Sequence, residues 1–322
     1  MCLEEGVEQS MAEEFLLQTN DLTKRYKDVL AVDHVNLKLK KGEIYGLIGR
    51  NGAGKTTLLK MLAGLADPTE GSFSIFGVSG KKTASLRDRV GVLIERPGLF
   101  NGMNAFQNMK VKSLALGLQD DAYIRELLNI VGLDKEGKRP VRKYSLGMKQ
   151  RLGIALSLVG HPDLLLLDEP INGLDPQGII EVREMIERLA KEQNITIIIS
   201  SHILEELSKI ATRYGVINEG RLIAEFTHGE LIERCSQLIE LRPDDITKAT
   251  TVLEALGIKD YKSVDKRTIH IFESVDDCGQ IVLELAKNGI RIHGVEVKHQ
   301  SLEDYYISLT EKDSQVRHGD KK

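Results

Sequence analysis

Nine consecutive residues, Gly49-Arg-Asn-Gly-Ala-Gly-Lys-Thr-Thr57, have the types and spacing needed to grip a polyphosphate. They fit G-x-x-x-x-G-K-[ST]. The backbone from Gly49 through Asn51, Gly52, Ala53 and Gly54 can turn its N–H groups inward around phosphate oxygens. Lys55 places a point charge between the β- and γ-phosphates, and Thr56 offers a hydroxyl to Mg²⁺. The stretch that begins at Thr56 is helical in pattern, so its positive end adds to the same cradle. Carboxylates come from "LLLLDEP", Leu164 to Pro170. Asp168 ends an apolar run, where it can hold Mg²⁺ directly or through water. Glu169, one residue beyond, is free to face the γ-phosphate and to orient or deprotonate an attacking water, help of a kind worth ~10²–10⁴ in rate. A third apolar run, "ITIIISSHI", closes on His202, whose imidazole can hydrogen-bond a γ-phosphate oxygen and sense its loss.

A second phosphate site is written into "KYSLGMKQRLGIALSL". Ser145 has the character of a helix N-cap, Gly147 permits close backbone approach, and an amphipathic helix follows to Leu158. One chain cannot easily aim two such sites at one nucleotide, whereas two chains arranged head to tail can. "NGLDP", Asn172 to Pro176, is a turn just after Glu169, and Asp175 in it is a candidate contact across that boundary. In "VGVLIERPGLF" a strand over Val90–Ile94 ends on Glu95, which is expected beside the nucleotide, approaching Mg²⁺ or the attacking water. Pro97 and Gly98 then turn the chain outward. Arg96 either offsets Glu95 or is simply solvated.

These residues need elements to carry them. From Phe15 to about Leu231, short β-rich runs alternate with helical stretches, the order of an α/β domain with a largely parallel core sheet. "EIYGLIG", "DLLLLDEP" and "ITIIISSH" are near-continuous apolar runs, as strands covered on both faces require. "FLLQTNDLTKRY" and "AVDHVNLKLKKGE" alternate instead and predict an antiparallel β flank. Met103 to Lys143 reads as a mostly helical insert between two core strands. After about Arg234 the pattern changes to strand Gln237–Leu241, helix Asp245–Leu256, strands Tyr261–Val264 and Thr268–Phe272, helix Val275–Lys287 and strand Ile290–Val297. That β-α-β-β-α-β order predicts a small α+β ferredoxin-like domain over 232–310. A last helix, "SLEDYYISLT", starts at Ser301 as a possible cap, and a charged tail over 311–322 is expected to fray.

A net charge of −4 argues against a polybasic nucleic-acid binder, so no nucleic-acid partner is expected. Cys2, Cys235 and Cys278 are far apart and without metal spacing, the pattern of reduced thiols in a cytosolic protein. No apolar run approaches the roughly 18 residues of a bilayer span. The acidic opening, 1–14, lacks a signal peptide's basic flank and apolar core; it is expected to be a disordered extension, with Met11 able to serve as a start.

In these motifs and their order, Phe15 to about Leu231 resembles the nucleotide-binding subunit of an ABC transporter, a P-loop NTPase cassette. The resemblance implies binding and hydrolysis of ATP with Mg²⁺, pairing with a second ATPase subunit as a homodimer or heterodimer, and separate integral membrane permease subunits. It also implies a cytoplasmic, peripheral location on the inner face of the cell membrane. It assigns Gly49–Thr57 as the phosphate loop, Thr56 and Asp168 to Mg²⁺, Glu169 and His202 with Lys55 to catalysis, Asp175 to the D-loop, and Tyr26 to stacking on adenine. Ser145, Gly147 and Met148 would contact the partner subunit's ATP. Two departures stand out: the family's LSGGQ is here Tyr144-Ser-Leu-Gly-Met148, and its usual Gln is Glu95, carried over as a Mg²⁺ contact. "YSLGMKQRLGIA", "LIERPGLF" and the C-terminal domain are similar to the subgroup that exports bacitracin and lantibiotics. The alternative, a soluble ABC-type ATPase acting on ribosomes or DNA, usually carries two cassettes or long coiled coils; this chain has one cassette and no heptad run. The C-terminal domain, with no clustered His, Cys or acids, is expected to dimerise or regulate.

Overall fold

The computed structural model describes residues 15–86, 88–234, 237–299 and 302–319; the N-terminal extension, Cys2, Cys235 and the proposed Ser301 cap lie outside them. Two compact units divide the chain between His228 and Gly229. In the first, β1 (Leu17–Tyr26), β2 (Val29–Val35), β3 (Lys38–Leu39) and β4 (Ile44–Ile48) precede α1 (Lys55–Leu62). Then come β5 (Glu70–Ile75), β6 (Val78–Ser79), β7 (Val90–Leu93), α2 (Ala105–Ala115), α3 (Asp121–Ile130) and α4 (Leu146–Leu158). The unit closes with β8 (Leu164–Asp168), α5 (Pro176–Gln193), β9 (Thr196–Ser201), α6 (Leu204–Ser208), β10 (Arg213–Asn218) and β11 (Arg221–Thr227), followed by α7 (His228–Arg234).

The core sheet runs β11-β10-β4-β9-β8-β7. All its pairings are parallel except the β10–β11 hairpin at one edge. β4, β8 and β9 are buried along their whole length, which is why they read as unbroken apolar runs. Parallel order matters for function because it brings the carboxyl ends of β4, β9 and β8 side by side. A second, antiparallel sheet, β2-β1-β5-β6 with β3 on β1, forms the flank. Its apolar residues Leu17, Leu22, Val32 and Val35 join Leu58, Leu59 and Met61 of α1 in one core. The insert between β7 and β8 is helical: α2 starts on an Asn104–Gln107 capping box and α3 on the Asp120 cap.

The second unit has β12 (Gln237–Pro243), α8 (Ile246–Ala255), β13 (Tyr261–Ser263), β14 (Ile269–Ile271), α9 (Cys278–Lys287), β15 (Ile292–His299) and α10 (Leu302–Gly319). Its sheet order β13-β14-β12-β15 with every pair antiparallel is that of a ferredoxin-like sheet. Ile239, Leu241, Ile269 and Ile271 face Ala249, Leu253, Ile281 and Leu285 of the helices. The final helix runs on to Gly319 instead of ending near residue 310, because no Gly or Pro interrupts the segment before that point.

On the sheet face away from that core, Glu240 is only 9% exposed. Lys298 Nζ donates to one of its oxygens at 2.7 Å and Arg242 to the other at 2.7 Å, with His270 Nε2 at 3.3 Å. Lys298 first, then Arg242, hold its carboxyl down at about 2, below the ordinary 4.5. A depressed carboxylate contributes stability that is complete above its ordinary value and disappears as pH falls through the folded one. Glu240→Gln should therefore lower the melting temperature of the full chain at pH 7, at a cost of about 2 kcal/mol. The gap to wild type should close between pH 4.5 and about 2; thermal melts across that range, with a constant gap as the contrary result, check it.

Candidate functional site

The loop between β4 and α1 folds around its glycines. Gly54 is the N-cap of α1 at φ 108°, and a Cβ there would lie 2.4 Å from the carbonyl oxygen of Ala31. Only glycine fits. No side chain caps α1, so its first N–H groups point toward any anion seated in the loop. Asn51 and Gly52 form the exposed tip, while Ala53 is buried and its carbonyl accepts from Gly220 N at 2.9 Å. Thr56 and Thr57 are half-buried in the first turn of α1.

Lys55 is 5% exposed and folds back: Nζ donates to the Gly49 carbonyl at 2.6 Å and the Arg50 carbonyl at 3.3 Å. It also lies 3.1 Å from Glu169 Oε1 as an ion pair, without hydrogen-bond alignment, so Oε1 is buried and lacks a donor. The other oxygen, Oε2, meets His202 Nδ1 at 2.8 Å. Glu169 itself sits at φ 49°, a left-handed conformation for a non-glycine residue that costs on the order of 1–2 kcal/mol. Next to it, Asp168 is 3% exposed and accepts from Thr56 Oγ1 at 2.8 Å. A hydroxyl and a carboxylate held together in this way are hard oxygen donors of the kind a small divalent cation takes. Among the described residues no group of three or more His, Cys, Asp or Glu is arranged to cage a metal.

The structure thus brings Lys55, Thr56, Asp168, Glu169 and His202 to one place. It adds a residue that sequence reasoning passed over. Ser200 Oγ donates to Asp168 Oδ1 at 2.6 Å and accepts from Glu169 N at 3.0 Å, fixing both acids relative to β9. Its signal was the polar "SSH" ending to a buried strand, which drew attention only to the histidine.

Other expected site residues are not part of this cluster. Glu95 stands just beyond β7 at φ 62°, 63% exposed, with Oε1 2.6 Å from Lys60 Nζ on α1. That ammonium lowers the Glu95 carboxyl and is itself raised by it. Tyr26 is exposed at the end of β1, outside the flank core, with Lys24 Nζ 4.9 Å from its ring centre. Ser145 caps α4, accepting from Met148 N at 3.2 Å. Gly147 lies in the first turn of α4, and a Cβ there would meet only Leu174 at an ordinary 3.8 Å. Among the described residues, no hydrogen bond or ion pair ties Ser145, Gly147 or Met148 to Lys55. Asp175 is the N-cap of α5, accepting from Gly178 N at 3.2 Å ahead of Pro176.

A glycine loop at the end of an inner parallel strand, with an Asp-Glu pair and a histidine at the ends of its neighbours, defines a P-loop nucleoside triphosphatase. The family model for the ABC transporter matches residues 32–172. The chain is 42% identical over 296 residues to the bacitracin transport ATP-binding protein BcrA of Bacillus licheniformis, covering 91% of this chain and 97% of that one. It is 48% identical over 212 residues to the lantibiotic transport ATP-binding protein SrtF of Streptococcus pyogenes, covering 65% and 90%. Among solved structures, cbiO1 of Clostridium perfringens, part of the ABC transporter complex cbiONQ, superposes with a TM-score of 0.63 at 27% identity over 76% of this chain and 98% of that one. The chain belongs to the ABC transporter ATP-binding proteins, and it binds and hydrolyses ATP as their cassettes do.

Because Ser200 bonds Asp168 and the backbone of Glu169 and would act through them, Ser200→Ala should reduce kcat by about 10- to 100-fold. ATP affinity should stay within about threefold. Steady-state kinetics with equilibrium nucleotide binding separate the two, and an unchanged kcat would remove Ser200 from that role.

Proposed function

We propose that this chain is the ATPase subunit of an exporter for a peptide antibiotic of the bacitracin or lantibiotic kind, working through separate membrane permease subunits. The observation that carries this reading is the extent of the likeness to BcrA. It spans 97% of that protein and 91% of this chain, so it takes in the C-terminal unit as well as the cassette. No helix among the described residues is long and apolar enough to cross a membrane. A permease in other chains, with this subunit peripheral on the inner face of the membrane, answers that need.

In this reading the phosphates of ATP replace Glu169 on Lys55 Nζ and take up the free N–H groups of α1. Tyr26 offers its exposed ring to the adenine. Thr56 and Asp168 would hold Mg²⁺, with Glu95 reaching the same ion once it leaves Lys60; their oxygen chemistry fits such an ion, which binds through few protein ligands plus substrate oxygens. When bound, the ion neutralises charge on the phosphate oxygens. Glu169, released from Lys55, accepts the proton of the attacking water, and His202 holds its other oxygen in place. The α4 N-terminus, with Ser145, Gly147 and Met148, serves the ATP of a second subunit, and Asp175 lies at that boundary. Closure of the pair pulls on the permease through the Glu95 loop and the α2–α3 insert, and hydrolysis resets it.

The space beside Gly147 makes a clean test. Gly147→Asp should melt within about 0.5 kcal/mol of wild type and bind ATP normally. It should hydrolyse ATP at least roughly 100-fold more slowly, since the carboxylate meets the other subunit's phosphate. Expressed with its neighbouring permease, wild type should raise tolerance to bacitracin or a lantibiotic, and Gly147→Asp should not. Retained hydrolysis would contradict the shared site, and no tolerance from wild type would contradict the antibiotic assignment.

A further inference from the structure

β15 is an end strand of the C-terminal sheet: β12 pairs with one side of it, and among the described residues no hydrogen bond joins its other side to another element. It is eight residues long and contains no proline. Long, straight, unprotected edges are templates for a further strand. Val297 and Val295 pair across the ladder with Ile239 and Leu241, so they lie on the helix-covered face of the sheet. Yet they are 46% and 43% exposed, whereas Ile239 and Leu241 are fully buried. The apolar layer of this unit therefore continues, uncovered, to the sheet edge. On the opposite face Glu296 is 66% exposed, and Lys298 Nζ lies 3.5 Å from it while also holding Glu240.

We infer that β15 pairs antiparallel with β15 of a second copy of this chain, in one register. A two-fold axis normal to the sheet keeps each side chain on its own face, so opposed residues must differ by an even number of positions. Centring the pair on residue 296 sets Glu against Glu, and centring it on 298 sets Lys against Lys, both destabilising. Centring it on 295 opposes Glu296 to Gly294 and leaves the charges unmatched. Centred on Val297, the pair sets Val297 against Val297 of the second copy and Glu296 against Lys298 of the second copy, twice over. Charge complementarity thus selects both the occupant and the register, and the join extends the four-stranded sheet to eight strands. This interface is additional to any pairing of the ATPase units, and its test does not read ATPase activity, so its failure leaves the exporter reading standing.

The test uses the full chain with Cys2, Cys235 and Cys278 replaced by Ser, carrying Val297→Cys and treated with a short bifunctional thiol reagent, with and without ATP. Covalent dimer should form, and it should form at least roughly tenfold more slowly with Lys262→Cys on β13 at the far edge. Adding Glu296→Lys, at an exposed position, should slow cross-linking of Val297→Cys by roughly tenfold or more by setting Lys against Lys. No dimer above the Lys262→Cys control in either nucleotide state would overturn the interface, as when a different partner covers this edge. Cross-linking unaffected by Glu296→Lys would overturn the register.

Discussion

A buried ammonium must have an anion. Lys55 is almost fully removed from solvent, and a lone charge there would cost several kcal/mol. Its needs are met by two carbonyls of its own loop and by Glu169. This arrangement makes the site both stable and ready. Glu169 is the replaceable partner, since its contact with Lys55 lacks hydrogen-bond alignment and its Oε1 has no donor. In the proposed mechanism a phosphate, which offers several oxygens where Glu169 offers one, takes the place of Glu169 on Lys55 and frees it to act as the base.

The proposed exchange depends on how the first unit positions these groups. Parallel order of β4, β9 and β8 places Lys55, Ser200 and the Asp168–Glu169 pair at neighbouring strand ends. Ser200 locks the acids to β9, and the left-handed backbone at Glu169 turns its side chain from the strand line toward the loop. The Ser145–Met148 turn stands apart from this cluster as an ordinary capped helix start with open space beside Gly147. In the proposed mechanism this terminus serves the ATP of a second subunit, and the open space beside Gly147 leaves room for it.

Much of this was legible in the sequence because each motif is local. The glycine loop, the apolar runs ending in Asp168, Glu169 and His202, and the Ser145 cap each lie within a dozen residues, and the β-α-β-β-α-β order survives down to the sheet arrangement. What escaped depends on distant contacts. Ser200 acquires its role only when β9 lies beside β8. Lys60, 35 positions earlier, pairs with Glu95 from α1, a contact that a reading of the stretch around Glu95 alone does not supply. The last helix outran its expected end because no Gly or Pro breaks it before Gly319.

The exchange on Lys55 is the central claim, and nucleotide affinity without turnover tests it most directly. Binding of a non-hydrolysable ATP analogue to wild type and to Glu169→Gln, measured by calorimetry without divalent cation, compares a site in which Lys55 has a competing carboxylate with one in which it has a neutral amide. Severalfold tighter binding to Glu169→Gln is the predicted result. Equal or weaker binding would show that Glu169 does not occupy the place of the phosphate, and would contradict the account.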